Sequence, residues 1–230
     1  LTSERAVAQT LTPERETTCD AATASAIPLN AGEGGACARR TYELAPASTL
    51  MLRQENYDTV EIDAWDGSTI QIETTVVARQ ATQDAAQADL QRITLNRQEM
   101  NEGEAEASRV LLSASGPDDD APGWWSVRYR LRVPAQTTLD ISSENSSITV
   151  RDVVGAHRLQ SKNGSLTYRV PVDAGVRLQT ETENGIIETT FPVTTEGTVS
   201  TRYLQIVVGE SGPEVFLATK NGDVTIQRAQ

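Results

Sequence analysis

A formal net charge of −12 over 230 residues excludes the basic footprint that nucleic acid or an anionic membrane surface requires. Only 4% of the residues are aromatic and 38% hydrophobic, so a core must be built from Val, Ile, Leu and Ala in thin layers. No run approaches the roughly 18 apolar residues needed to span a bilayer, so no membrane-spanning segment is expected.

Residues 1–40 show little periodicity and much Thr, Ala, Gly and Glu, which predicts a flexible N-terminal arm. Its cysteines, Cys19 and Cys37, flank a loop of small and polar residues that offers neither a metal ligand nor a catalytic base. A disulfide is therefore expected rather than zinc or thiol chemistry, and with it a compartment outside the cytoplasm. The absence of Met before Leu1 suits a processed secretory chain or a trimmed one.

Residues 41–135 are expected to form a β-rich part with one short helix. It opens at Thr41-Tyr42-Glu43-Leu44. Leu50, Leu52, Asn56, Val60 and Ile62 then alternate around a turn, and Asp66-Gly67 leads into Ile70, Ile72, Thr74, Val76 and Ala78. Thr82 caps a predicted helix from Gln83 to about Gln91 that lies as a lid on one sheet face. An acidic loop, Glu99 to Glu106, follows. The run Asp118-Asp119-Asp120 lacks the alternating ligands and distal Glu of a Ca²⁺ loop, which favours a solvated turn. In Trp125 to Val133, Val127, Tyr129 and Leu131 alternate with Arg128, Arg130 and Arg132, while Trp124 lies out of phase with the buried face. Outward arginines suit either ion pairs with neighbouring carboxylates or capture of an anionic sugar, and an exposed Trp124 ring suits stacking on sugar.

Residues 136–230 repeat one pattern around Asn145, Asn163, Asn184 and Asn221. Six residues before each Asn stand Leu139, His157, Leu178 and Val215; two before stand Ser143, Ser161, Thr182 and Thr219. The residue after is Ser146, Gly164, Gly185 or Gly222, and apolar residues recur three and five positions later. Each copy reads as strand, tight turn, strand, with Asn-Gly supplying positive φ at the turn. Such units cannot bury an apolar side alone, which predicts a β-solenoid, or β-helix, of stacked coils; the competing fold is a β-sandwich of hairpins. The gap from Asn184 to Asn221 is about two coils long, so Tyr203 to Val208 is expected to supply a strand for a coil between, turning at Gly209-Glu210-Ser211-Gly212.

Catalytic chemistry finds little material here. His157, the sole histidine, fills an inward slot held elsewhere by Leu139, Leu178 and Val215, so a packed ring is expected. Glu144 and Glu183 share one slot with Lys162 and Lys220, which reads as an outward column of neutralising charges rather than a glycosidase pair. The expectation is a non-enzymatic protein without cofactor or metal.

Several stretches together resemble a known family: Cys-Ala-Arg-Arg-Thr-Tyr-Glu-Leu (Cys37 to Leu44), Asp63-Ala64-Trp65-Asp66-Gly67, Trp-Ser-Val-Arg-Tyr-Arg-Leu-Arg-Val-Pro (Trp125 to Pro134), and Gly209 to Ile226 with its Thr-Lys-Asn-Gly-Asp-Val-Thr-Ile ending. They are similar to the putative-adhesin family of bacterial extracytoplasmic proteins, a domain of unknown function with a β-helix fold, over about residues 37–228. Ser146 departs from the Gly expected at the first turn. The resemblance implies a cell-envelope setting and carries over no catalytic residue.

The expected function is an extracellular, adhesin-like structural protein. The C-terminal strand Val224 to Ile226 would form a bare edge that takes a strand such as Arg5 to Leu11 from the arm of another copy, building filaments head to tail. The alternative is a monomeric module that binds, or less readily acts on, cell-envelope polysaccharide through Trp124, Arg128, Arg130 and Arg132.

Overall fold

The computed structural model describes residues 8–25, 27–30, 32–55, 58–100, 108–117, 123–171, 174–191, 200–209 and 212–229. Alternation of apolar and polar residues puts most of them into strands, because a period of two gives each strand one face to bury. The N-terminal part comprises β1 (Gln9–Thr10), β2 (Arg15–Thr18), α1 (Ala21–Ser25), β3 (Gly34–Leu44), β4 (Thr49–Gln54), β5 (Asp58–Trp65) and β6 (Ile70–Gln80). Next come α2 (Gln83–Arg92), β7 (Thr94–Glu99), β8 (Arg109–Ser115) and β9 (Trp124–Pro134). The Asn copies supply β10 (Thr138–Ser143), β11 (Ser146–Arg151), β12 (His157–Asn163), β13 (Leu166–Val170), β14 (Val176–Asn184) and β15 (Ile187–Thr189). The chain closes with β16 (Tyr203–Val208), β17 (Glu214–Asn221) and β18 (Val224–Arg228).

Among the described residues two nine-stranded sheets result. Sheet A has the order β1-β7-β8-β4-β10-β12-β17-β14-β16, and sheet B the order β15-β18-β13-β11-β5-β9-β6-β3-β2. Their inner faces share one core, in which Leu50, Leu52, Val60, Ile62, Ile148 and Leu159 are wholly buried. Helix α2 packs on β3 and β6 through Ala86 and Leu90. The Thr82 hydroxyl accepts from Ala85 N at 3.2 Å and caps its start. Buried Arg40 donates to the Leu90 and Ile93 carbonyls at its other end, where a cation suits the helix dipole.

The solenoid expectation is overturned. A solenoid lays each coil beside the one before it, in chain order. Here the fourth copy, β17 and β18, is inserted among the earlier ones: β17 lies between β12 and β14, and β18 between β13 and β15. Both sheets are mixed, with β6 running antiparallel to both β3 and β9, and β7 antiparallel to β8. No coil is formed by Tyr203 to Val208; β16 is an antiparallel margin strand on β14. Among the described residues the architecture is an all-β sandwich of two large mixed sheets with two short helices. Periodicity specified which face of each strand is buried, whereas strand order is set by long-range pairing that periodicity does not encode.

Two further expectations fail on the same ground. The arm contributes β1 to sheet A and β2 to sheet B, pairing with β7 and β3 of its own chain, and β3 runs unbroken across the expected boundary at residue 40. Cys19 and Cys37 are joined by a disulfide, with Cα atoms 5.5 Å apart, so the link ties the end of β2 to β3. Strand β18 is an interior strand and not a bare edge. The edge named as acceptor for head-to-tail exchange is thus not open at β18, and residues 1–7 of the proposed donor lie outside the described residues. Asn56, the Asp118 to Asp120 run, most of the 99–106 loop and Glu210-Ser211 lie outside them too.

Candidate functional site

The Asn copies are held together by their turns, in a way that explains the motif. Each turn carries the chain from sheet A to sheet B, and the side chains of Asn145, Asn163, Asn221 and Asn184 form a ladder with amide-to-carbonyl distances of 2.8, 2.7 and 2.9 Å. The hydroxyl two residues earlier reaches the backbone carbonyl of the residue after Asn in the adjoining copy. Ser161 donates to Ser146 O at 2.9 Å, Thr219 to Gly164 O at 2.8 Å and Thr182 to Gly222 O at 2.9 Å. Glycine is needed there for close approach and not for positive φ, because a Cβ on Gly164, Gly185 or Gly222 would overlap the backbone of the next turn. Among the described residues the positive-φ glycines are elsewhere, at Gly32, Gly123 and Gly209. At these turns Glu144 pairs with Lys162 at 3.8 Å and Glu183 with Lys220 at 3.7 Å.

The residues expected to form a ligand surface lie on β9, an interior strand of sheet B. Arg128, Arg130 and Arg132 are exposed on its outer face. Arg128 binds Asp58 at 2.8 Å. Arg130 and Arg132 line a cleft of about 340 Å³ with Glu14, Glu43 and Glu73, a set whose net charge is negative and unsuited to an anion. Trp124 is half-buried at the end of β9, opposite Arg79. Its neighbour Trp125 packs against the core and donates its indole N–H to Pro117 O at 3.1 Å. The structure thus separates Trp124 from the two arginines of the cleft and spends Arg128 on an ion pair.

A different surface has the makings of a binding site. It is the outer face of sheet A across β12, β17, β14 and β16. Pairing in register sets Arg158, Phe216, Gln179 and Gln205 in one row across these strands. The next row reads Gln160, Ala218, Glu181 and Tyr203. Two depressions open on this face. One, of about 420 Å³, forms where Thr138 and Ala156 leave room beside Arg158, Phe216, Arg177 and Val207. The other, of about 500 Å³, forms around Ala218, between Gln160, Glu181, Tyr203 and Lys220. The residues that line them on β12, β17 and β14 are offset by about four positions along the strands, or about 13 Å at the strand rise. The Arg158 guanidinium sits 4.8 Å from the Phe216 ring centroid and fixes that ring by a cation–π contact. Tyr203 OH reaches Gln205 Oε1 at 3.3 Å, and Arg158 Nε donates to Gln160 Oε1 at 3.0 Å.

Beneath the first depression His157 points into the core. It is 3% exposed; its Nε2 lies 3.1 Å from Val153 O, and its ring meets Tyr168 edge-on at 5.6 Å. Burial pushes its pKa below the ordinary value against the raising effect of its backbone hydrogen bonds, and Nδ1 has no partner among the described residues. The ring is a packed element of the core. Among the described residues no three His, Cys, Asp or Glu side chains converge as metal ligands, and no helix is long and apolar enough to cross a membrane.

The sequence did hold a signal for the sheet A groove. Five residues before the Asn stand Asp140, Arg158, Gln179 and Phe216, and three before it Ser142, Gln160, Glu181 and Ala218. Most inward slots keep their apolar chemistry from copy to copy, with His157 and Thr180 as departures, whereas these outward slots share none, which is what a face adapted to something other than the core looks like.

No protein-family model and no curated protein matches this chain. Two solved structures are similar to it. A putative cell adhesion protein from Clostridium sporogenes ATCC 15579 is 11% identical, with 83% of this chain and 99% of that one covered at a TM-score of 0.49. A putative adhesin from Bacteroides fragilis NCTC 9343 is 8% identical, with 84% and 97% covered at a TM-score of 0.26. At these scores neither likeness bears on the function of this chain.

Proposed function

We propose that this chain is a non-catalytic, adhesin-like binding module that works outside the cytoplasm, and that its ligand is a polysaccharide held in the outer groove of sheet A. The observation that carries this reading is the joint placement of Phe216, Tyr203, Gln160, Gln179 and Gln205 on one rigid sheet face. Ring faces pack against the apolar faces of sugars, while amides donate to and accept from hydroxyls at once, so the set matches a neutral glycan better than an ion. Residues anchored on strands hold such groups in place without an ordering cost on binding. The Cys19–Cys37 disulfide supports an oxidising compartment. The motif stretches that resemble the adhesin family support a bacterial cell-envelope setting.

A glycan array probed with the purified chain tests the reading. Binding is expected to be lost in Phe216→Ala and weakened in Tyr203→Ala, with Trp124→Ala unchanged. Binding that survives the first two substitutions together and disappears in the third would move the site to sheet B, and an array without any bound glycan would remove the polysaccharide reading.

A further inference from the structure

Strand β16 forms the outer margin of sheet A, and among the described residues no strand pairs with its free side. Its sequence, Tyr-Leu-Gln-Ile-Val-Val, contains no charge, no Pro and no Gly, the composition that promotes strand-to-strand association. The other margins are blunted. β1 has two residues, β15 three, and β2 four that include Arg15 and Glu16. Val207 on β16 is also, among the described residues, the most exposed of the large apolar side chains, at 57%.

The ladder with β14 decides which backbone groups are free. Thr182 N donates to Arg202 O, so the alternate residues Leu204, Ile206 and Val208 turn their N–H and C=O groups toward β14. Tyr203, Gln205 and Val207 turn theirs outward. The Tyr203 carbonyl accepts from Ser200 N, which leaves both groups of Gln205 and of Val207. These four groups are self-complementary about a twofold axis through Ile206. An antiparallel second copy sets Gln205 of each chain opposite Val207 of the other, and every one of them is then paired.

We infer that β16 pairs with β16 of a second copy, extending sheet A across a twofold axis into one continuous sheet. The contact is isologous, so it closes at a dimer and does not propagate into a filament. In a chain of net charge −12, it is also a place where two copies meet without bringing like charges together. A six-residue edge buries less than a standard interface, so the dimer is concentration-dependent. The twofold axis is perpendicular to the sheet, which leaves the outer faces of both copies of sheet A on the same side. If those faces bind glycan as proposed above, the dimer is bivalent; the dimer itself does not rest on that reading.

Analytical ultracentrifugation of the full chain from micromolar to millimolar concentration tests it. The expected result is a monomer–dimer equilibrium that Val207→Lys weakens by about tenfold or more, by placing charge on the pairing edge. Leu29→Lys, which alters another exposed apolar side chain, is expected to leave it unchanged. Hydrogen exchange at the amides of Gln205 and Val207 should slow as concentration rises. A strict monomer throughout, a dimer equally strong in Val207→Lys, or species that grow beyond the dimer would each overturn the inference.

Discussion

Sheets A and B draw on the same Asn copies and the same alternation, yet their outer faces differ. On sheet B the outward residues around β5, β9 and β11 are mostly charged and are spent on one another: Arg128 on Asp58, and Arg151 on Glu61 at 3.3 Å and Asp63 at 3.0 Å. On sheet A, from β12 to β16, charged residues such as Arg158, Arg177, Glu181 and Glu214 are interspersed with aromatic, amide and small residues, and two depressions are left between them. Charge pairing keeps a broad sheet face soluble and fills it. A face with mixed sizes and neutral polar groups leaves space and hydrogen-bonding capacity for a ligand. The difference shows that burial pattern and binding potential are carried by opposite faces of the same strands.

The sharpest way to break the comparison is to exchange inner and outer residues on a single strand. Leu159 on β12 is wholly buried, whereas Lys162 is exposed at its turn. Leu159→Asp puts an unpaired carboxylate into a dry core and is expected to cost several kcal/mol, against a total stability of roughly 5–15 kcal/mol. Lys162→Asp should melt within a few degrees of wild type. Equal shifts in thermal melts of the two variants would mean that the assignment of faces is wrong, since a slip of one residue exchanges them.

A smaller effect belongs to the layer under the sheet A groove. Burial holds the pKa of His157 below the ordinary 6.5, so the unfolded chain binds the proton more readily than the folded one. The stability contributed by the neutral ring is fully present above pH 6.5, declines as pH falls from there toward the folded-state value, and is flat below it. His157→Leu places in this slot the residue that Leu139 and Leu178 carry in other copies. The melting-temperature difference between wild type and variant is expected to widen in favour of the variant as pH drops through that window. A difference independent of pH would show that the ring is not desolvated in solution.

The smallest effect is expected on sheet B. Arg151→Ala removes two surface ion pairs and should cost no more than about 1 kcal/mol, most of it absent in high salt, where exposed charges are screened. It should not alter glycan binding. A large loss of binding in this variant would erase the functional distinction between the two faces.

Much of the local structure was legible in the sequence. Thr82 with the alanine-rich run after it predicts α2 to within a residue of its observed end at Arg92, because capping and propensity are local. The inward slots Leu139, Ile141, Leu159, Leu178 and Leu217 are all buried, because a strand of period two has no other face to offer the core. The site was read less well. Phe216 and Tyr203 are ordinary strand residues until β17, β14 and β16 are placed side by side, while Arg130 and Arg132 look available until Glu14, Glu43 and Glu73 are found lining the same cleft.

By itself the sequence determined strand periodicity, the helix and the composition of the core, all of which depend on neighbours within a few residues. Only the tertiary structure decided that the fourth copy lies between the second and third in sheet A, that β16 ends the sheet, and that the arm pairs with its own chain. It also decided why glycine follows Asn: the close approach of one turn to the next requires it, and an isolated turn does not show that approach. The physical reason is the same in each case. Backbone hydrogen bonding between strands is nearly blind to side chains, so which strand neighbours which is chosen by the whole set of long-range contacts that closes the core, and not by the pattern of any one segment.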